Sequence, residues 1–100
     1  MRITDEPLLA DFRAARRCEL CGKPTPSGCD PHHNWPRGIG GGSRLDVRFN
    51  LISLCRECHT AVHLGKVSRL SLLQLVGKRE RMTVTEIEDA KNELLRRPKP

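Results

Sequence analysis

Two Cys-x-x-Cys pairs, Cys18–Cys21 and Cys55–Cys58, constrain this chain more than any other feature of it. Two residues between ligands let one turn present both sulfurs to one ion, and four thiolates suit tetrahedral zinc at about 2.3 Å per bond. A site closed by four cysteines serves folding rather than chemistry. This chain needs such a staple: it has 100 residues, and Phe12, Trp35 and Phe49 are its only aromatic side chains, so few large groups are on hand to fill a core. Trp35 is expected in that core. Met1 to Arg17 is charged and lacks the apolar run of a signal peptide. No stretch approaches the roughly 18–20 apolar residues of a membrane span. The expected setting is cytoplasmic, where thiols stay reduced and cysteine pairs read as metal ligands. Cys29, the odd cysteine, reads as a small buried strand residue.

The rest of the chain divides into short elements. Residues 5–17 read as a first helix, with Pro7 in its opening turn and Asp5 and Glu6 at its positive end. Leu8, Phe12 and Ala15 share one face of it. Residues 18–28 form a turn region of zinc-knuckle shape. Cys29 to Pro36 reads as a short strand, 37–46 as a glycine-rich loop without the Gly-Lys-Ser/Thr ending of a phosphate-binding loop, and Leu51 to Leu54 as a second strand. A helix follows from the second cysteine pair to about Leu64. Ser71 to Arg81 and Val84 to Arg97 read as two more helices, the last opened by a capping box of Thr83 and Glu86. One domain over 1–97 is expected, with a core at 18–64, a helical extension at 68–97 that supports the core, and a tail at 98–100.

The net charge is +6, with a pI near 9.5. That balance favours a polyanion as partner, nucleic acid first, although a basic protein with no such partner fits the charge equally well. The histidines sharpen the choice. His59 and His63 stand four apart on an expected helix and share a face. His32 and His33 are adjacent on the strand before it. One histidine alone is more often a satisfied polar residue, but two pairs so arranged point to a second metal site.

The run DPHHNWPRGIGGGSRLDVRFNLISLCRECHTAVH resembles the HNH endonuclease motif in its zinc-stapled form. The elements that match in order are the upstream Cys-x-x-Cys, the acid-x-His-His strand, the Pro-Arg-x-x-Gly-Gly loop, Asn-Leu-Ile-x-Leu, and Cys-x-x-Cys-His with another histidine four residues on. They span roughly Cys18 to Leu64. The resemblance implies an α+β fold: a small ββα-metal core with a four-cysteine structural zinc site and added N- and C-terminal helices. It implies that His33 is the general base, Asn50 the motif asparagine, and His59 a ligand of a catalytic cation together with His32 and His63. The cation would be one Mg²⁺, Mn²⁺, Ni²⁺ or Zn²⁺. Asp30 is a ligand, an acceptor behind His32, or a cap, and the second reading is favoured because metal-bound histidines donate their other N–H to such a group. Asn50 carries no charge and is expected to fix the loop and orient the His33 ring.

Hydrolysis of a phosphodiester needs an activated water and stabilisation of charge on the phosphate and the leaving oxygen. An unliganded histidine serves the first need and a cation the second. Arg37, Arg44 and Arg48 lie between the two strands and are candidate phosphate contacts, Arg37 first among them, although solvated loop arginines fit equally well. The expected function is metal-dependent cleavage of DNA, with contacts mostly to the backbone and weak sequence preference. No membrane is involved. A homodimer, or a larger phage or bacterial assembly, would supply further specificity, and small chains of this kind resemble phage and mobile-element nucleases. Two rivals remain. A non-catalytic zinc module that binds nucleic acid explains the cysteines and the charge but leaves the histidines idle. A zinc hydrolase of small substrates needs an apolar pocket, for which this sequence offers few residues.

Overall fold

The computed structural model describes residues 2–36 and 44–96. The first helix, α1, spans Glu6–Arg13. Asp5 caps it, its side chain accepting from the Leu8 amide at 3.0 Å, as a short carboxylate at an N-cap should. The helix stops four residues short of the expected end. The last helical carbonyl and those just beyond it are claimed by the segment that follows: the Arg13 oxygen by the Cys29 amide (2.9 Å), the Arg16 oxygen by the Thr25 amide (2.8 Å), and the Ala15 oxygen by the Thr25 hydroxyl (2.9 Å). Gly28 makes this closure possible. Its φ is +96°, and a Cβ there would strike the Arg13 carbonyl.

Two antiparallel strands form the centre. β2, Asp30–His33, pairs with β4, Leu51–Leu54, in the register Asp30 to Leu54 and His33 to Leu51. Every residue of β4 is buried, which explains why three of its four side chains are aliphatic. Its one polar side chain, Ser53, donates to the Phe12 carbonyl at 2.7 Å. The strand expected over 29–36 is shorter, because Asn34 and Trp35 turn away. A second small sheet was not expected. β1, Arg2–Ile3, pairs in parallel with β3, Arg44–Leu45, so the far end of the region read as a loop is tied to the start of the chain. Residues 37–43 lie outside the described residues, and with them Arg37.

Three further helices complete the fold: α2 at Arg56–His63, α3 at Arg69–Glu80 and α4 at Val84–Arg96. The Thr83–Glu86 capping box is formed, with each residue's amide donating to the other's side chain at 2.9 and 3.1 Å. Leu72, Leu73 and Val76 of α3 and Ile87 of α4 pack with Trp35, Ile52 and Leu54 in the main core. A smaller cluster joins Leu9 and Phe12 of α1 to Leu51. Arg79 binds the layers together: it donates to Glu19 at 2.7 and 2.9 Å and to the Arg48 and Leu51 carbonyls. None of the described helices is long and apolar enough to cross a membrane.

Candidate active site

The knuckle between α1 and β2 and the N-terminus of α2 bring Cys18, Cys21, Cys55 and Cys58 together, one sulfur from each lying within 4.8 Å of the others. The Cys21 and Cys55 sulfurs are 3.9 Å apart, close to the tetrahedral edge of about 3.8 Å that bonds of about 2.3 Å require. Gly22, at φ +76°, lets the knuckle turn back on itself. Cys55 caps α2, and its sulfur accepts from the Cys58 amide at 3.5 Å. Burial raises the Cys18 thiol, but amide donors from Cys21, Cys55 and Leu20 outweigh it and bring the group down to about 7. Burial and the neighbouring sulfurs push Cys58 up. Four sulfurs this close favour a dication among them, since repulsion otherwise prevents all four from ionising. The set fits a structural zinc. Cys29 stays apart from it, buried, and contacts Thr25 Oγ1 at 3.2 Å and the Arg17 carbonyl at 3.6 Å.

The second cluster lies between β2 and α2. His32, His59 and His63 each place a ring nitrogen within 4.8 Å of the others. The Nε2 atoms of His59 and His63 are 3.0 Å apart, as one helical turn dictates. Asp30 Oδ2 stands 3.1 Å from His59 Nδ1 and 3.2 Å from Arg56 Nε. A carboxylate accepts only, so His59 donates from Nδ1 and its Nε2 carries a lone pair. That lone pair faces His63 Nε2, and a shared cation suits the pair of nitrogens. His32 contributes a neutral ring: burial, then the neighbouring His59, His63 and His33, lower it to about 4. The three imidazoles therefore fit a divalent cation. Asp30 was expected behind His32, but it backs His59 instead. Strand alternation puts Asp30 and His32 on one face of β2, and that face meets α2.

His33 points the other way. Its Nε2 is 2.7 Å from Oδ1 of Asp46, whose side chain is fully buried. Asp46 also accepts from Arg44 through Nε and Nη2, at 2.7 to 3.1 Å, and from the Asp5 amide at 2.9 Å. Burial alone would raise this carboxyl, but the bonds from Arg44 and His33 hold it at about 2. It is therefore ionised at neutral pH and takes the His33 Nε2–H. The Nδ1 lone pair is left for another proton. His33 lines two clefts that His32 and His63 also line. Sequence reading missed Asp46; its signal was an acid four residues before Asn50.

Asn50, fully buried, ties Trp35 to Leu45. Its Oδ1 accepts from the Trp35 amide at 2.8 Å, and its Nδ2 donates to the Trp35 and Leu45 carbonyls at 3.2 and 2.9 Å. The His33 ring is held by Asp46 rather than by Asn50. Arg44 is buried against Asp46 and Glu6, and Arg48 pairs with Glu80 near Phe12. Both arginines have carboxylate partners, and the expected phosphate contacts find no support in that placement.

An antiparallel strand pair followed by a helix, with imidazoles between them and a four-cysteine cluster beneath, is a ββα-metal architecture. Residues 18–64 match the family model described as HNH endonuclease, and this segment is an HNH domain. The match covers a little under half of the chain and leaves out α1, α3 and α4. Among curated proteins, and among solved structures, no significant match to the chain was found.

Proposed function

We propose that this chain is a metal-dependent DNA endonuclease that hydrolyses phosphodiester bonds with His33 as general base. The observation that carries this reading is the pairing of two devices on one short strand. His32 joins His59 and His63 in a set of nitrogens fit for one cation, and the next residue, His33, is held by Asp46 through Nε2, its Nδ1 without a partner among the described residues. When bound, the cation supplies Lewis-acid stabilisation of charge on the phosphate and on the leaving 3′ oxygen. His33 accepts the proton of the attacking water at Nδ1, while Asp46 keeps the proton on Nε2 and stabilises the imidazolium that forms. Asp30 fixes the ring of His59, and Asn50 fixes the loop beside the site. Family resemblance implies 3′-hydroxyl and 5′-phosphate products. The net charge of +6 suits backbone-dominated binding. The four-cysteine cluster holds structural zinc in this reading and takes no part in the chemistry.

A supercoiled-plasmid nicking assay tests the proposal with Mg²⁺, Mn²⁺, Ni²⁺ and Zn²⁺ in turn and a chelator control. Wild type is expected to nick with at least one of them. His33→Ala is expected to lose about 10²–10⁴-fold in rate while retaining zinc, fold and DNA binding. A wild-type protein that nicks with none of the four, yet binds DNA, is a zinc-stapled binding module instead.

A further inference from the structure

The cleft beside the imidazoles is not closed by the HNH segment alone. It measures about 250 Å³, and its lining joins His32, His33 and His63 to Arg69 at the first turn of α3. The adjoining cleft, which includes His59, shares the same three histidines. Arg69 thus stands next to the reaction centre, although it lies beyond the residues that match the family.

Its guanidinium is held firmly but is not used up. Nε donates to the Asn34 carbonyl at 2.9 Å, and the group lies over the Trp35 ring at 5.8 Å. Ser68 caps α3 through the Ser71 amide at 3.1 Å and so fixes the turn that carries it. Nη1 and Nη2 have no acceptor among the described residues, and no carboxylate there pairs with Arg69. Arg44, Arg48 and Arg79, by contrast, all have carboxylate partners. An exposed guanidinium oriented by a backbone carbonyl and an aromatic face, with both terminal amino groups free, is prepared for bidentate contact with an anion. Asn34 lines the same cleft. It is 3% exposed, and its side-chain amide has no partner among the described residues, an unpaired polar group beside the cleft. Val62, Val67 and Leu72 supply an apolar wall suited to a deoxyribose.

We infer that Arg69 grips the DNA strand at a backbone phosphate neighbouring the one that is cut, so that the helical extension forms part of the substrate site. The inference rests on the nuclease reading above. Arg69 is here a binding residue that sets strand position, so its loss weakens substrate and transition-state binding alike.

Equilibrium binding of a short labelled duplex, measured over a range of NaCl with the zinc-loaded full chain in the non-cleaving His33→Ala background, tests it. Arg69→Gln is expected to weaken binding about tenfold at physiological salt and to reduce the slope of log Kd against log salt by about 0.9, one phosphate contact. Arg69→Lys keeps the charge and should retain the slope, even if its thermal stability falls through loss of the Trp35 and Asn34 contacts. In otherwise wild-type protein, Arg69→Gln should raise KM for nicking and leave kcat within about threefold. An unchanged affinity and slope in Arg69→Gln overturns the inference while the nuclease reading stands. So does a fall in kcat alone. Wild-type protein that neither binds nor nicks DNA defeats both.

Discussion

The imidazole of His33 and the carboxylate of Asp46 meet at 2.7 Å, the histidine on the central strand and the acid just beyond the short edge strand. The contact selects the tautomer of the base. Asp46→Asn puts an amide of the same shape beside Nε2. The amide can present its NH₂ there, which stabilises the form protonated at Nδ1 and blocks proton acceptance from water. The expected outcome is a kcat reduced about 10²–10³-fold with KM and zinc content unchanged. The pH–rate profile should shift as well, because the imidazolium loses its counter-charge. Steady-state nicking at several pH values checks this. A kcat within threefold of wild type, in a protein that His33→Ala inactivates, would remove Asp46 from the mechanism.

The same carboxyl also stabilises the fold. Its usual value of 3.8 falls to about 2 on folding, so the unfolded chain takes up its proton more readily. The stabilisation is complete above about pH 4 and is lost as the pH drops towards 2. The shift corresponds to about 2 kcal/mol. Urea denaturation of wild type and of Asp46→Asn should therefore show a gap that is constant from pH 7 to about 4.5 and narrows below that. A gap that opens or closes between pH 5 and 7 would mean that His33, not Asp46, carries the pH dependence.

The parts of this architecture that could be read from sequence are those fixed by local rules. Cysteine spacing, the helical pairing of His59 with His63, the apolar run 51–54 and the Thr83–Glu86 box each depend on one turn or one strand, and each is in place. What was missed depends on distant partners. The end of α1 at Arg13 is set by amides at residues 25 and 29, and the pairing of β1 with β3 joins the chain's start to a segment some forty residues on (Asp5 and Asp46 are 41 apart). Asp46 looked like a loop acid because nothing near it in sequence shows that Arg44, His33 and the Asp5 amide converge on it. Arg44 and Arg48 also have acids far along the chain, Glu6 and Glu80, 38 and 32 residues away. Arg69 sits on a helix read only as support.

The two kinds of cysteine should separate under mutation. Cys21→Ser removes one thiolate from the four-sulfur set and is expected to abolish tight zinc binding and cooperative unfolding, since a core this small depends on the metal. Cys29→Ala, buried but outside the set, should keep one zinc per chain and lose only about 1 kcal/mol. Metal analysis after dialysis, paired with thermal melts, gives both answers. Zinc retained at full stoichiometry in Cys21→Ser would mean that the ion is not held by these four sulfurs.

Asn50 supplies a sharper test of how the loop is held, because its amide is used from both ends. Oδ1 accepts from the Trp35 amide, while Nδ2 donates to the Trp35 and Leu45 carbonyls. Asn50→Ala leaves these buried groups unpaired and should destabilise the protein by about 2–4 kcal/mol. Asn50→Asp keeps the acceptor but turns the donor into a second oxygen facing two carbonyls. At pH 7 this change is expected to be the more damaging of the two, although it is the smaller change in shape. The new carboxyl would have its folded pKa raised above its unfolded value of about 3.9. Relative to Asn50→Ala, the aspartate variant should then gain stability as the pH falls from 7 towards 4, where the protonated group donates to Leu45. Denaturation curves of the two variants at matched pH decide the matter, and an aspartate variant as stable as wild type at pH 7 would mean that the amide is not what ties β2 to β3.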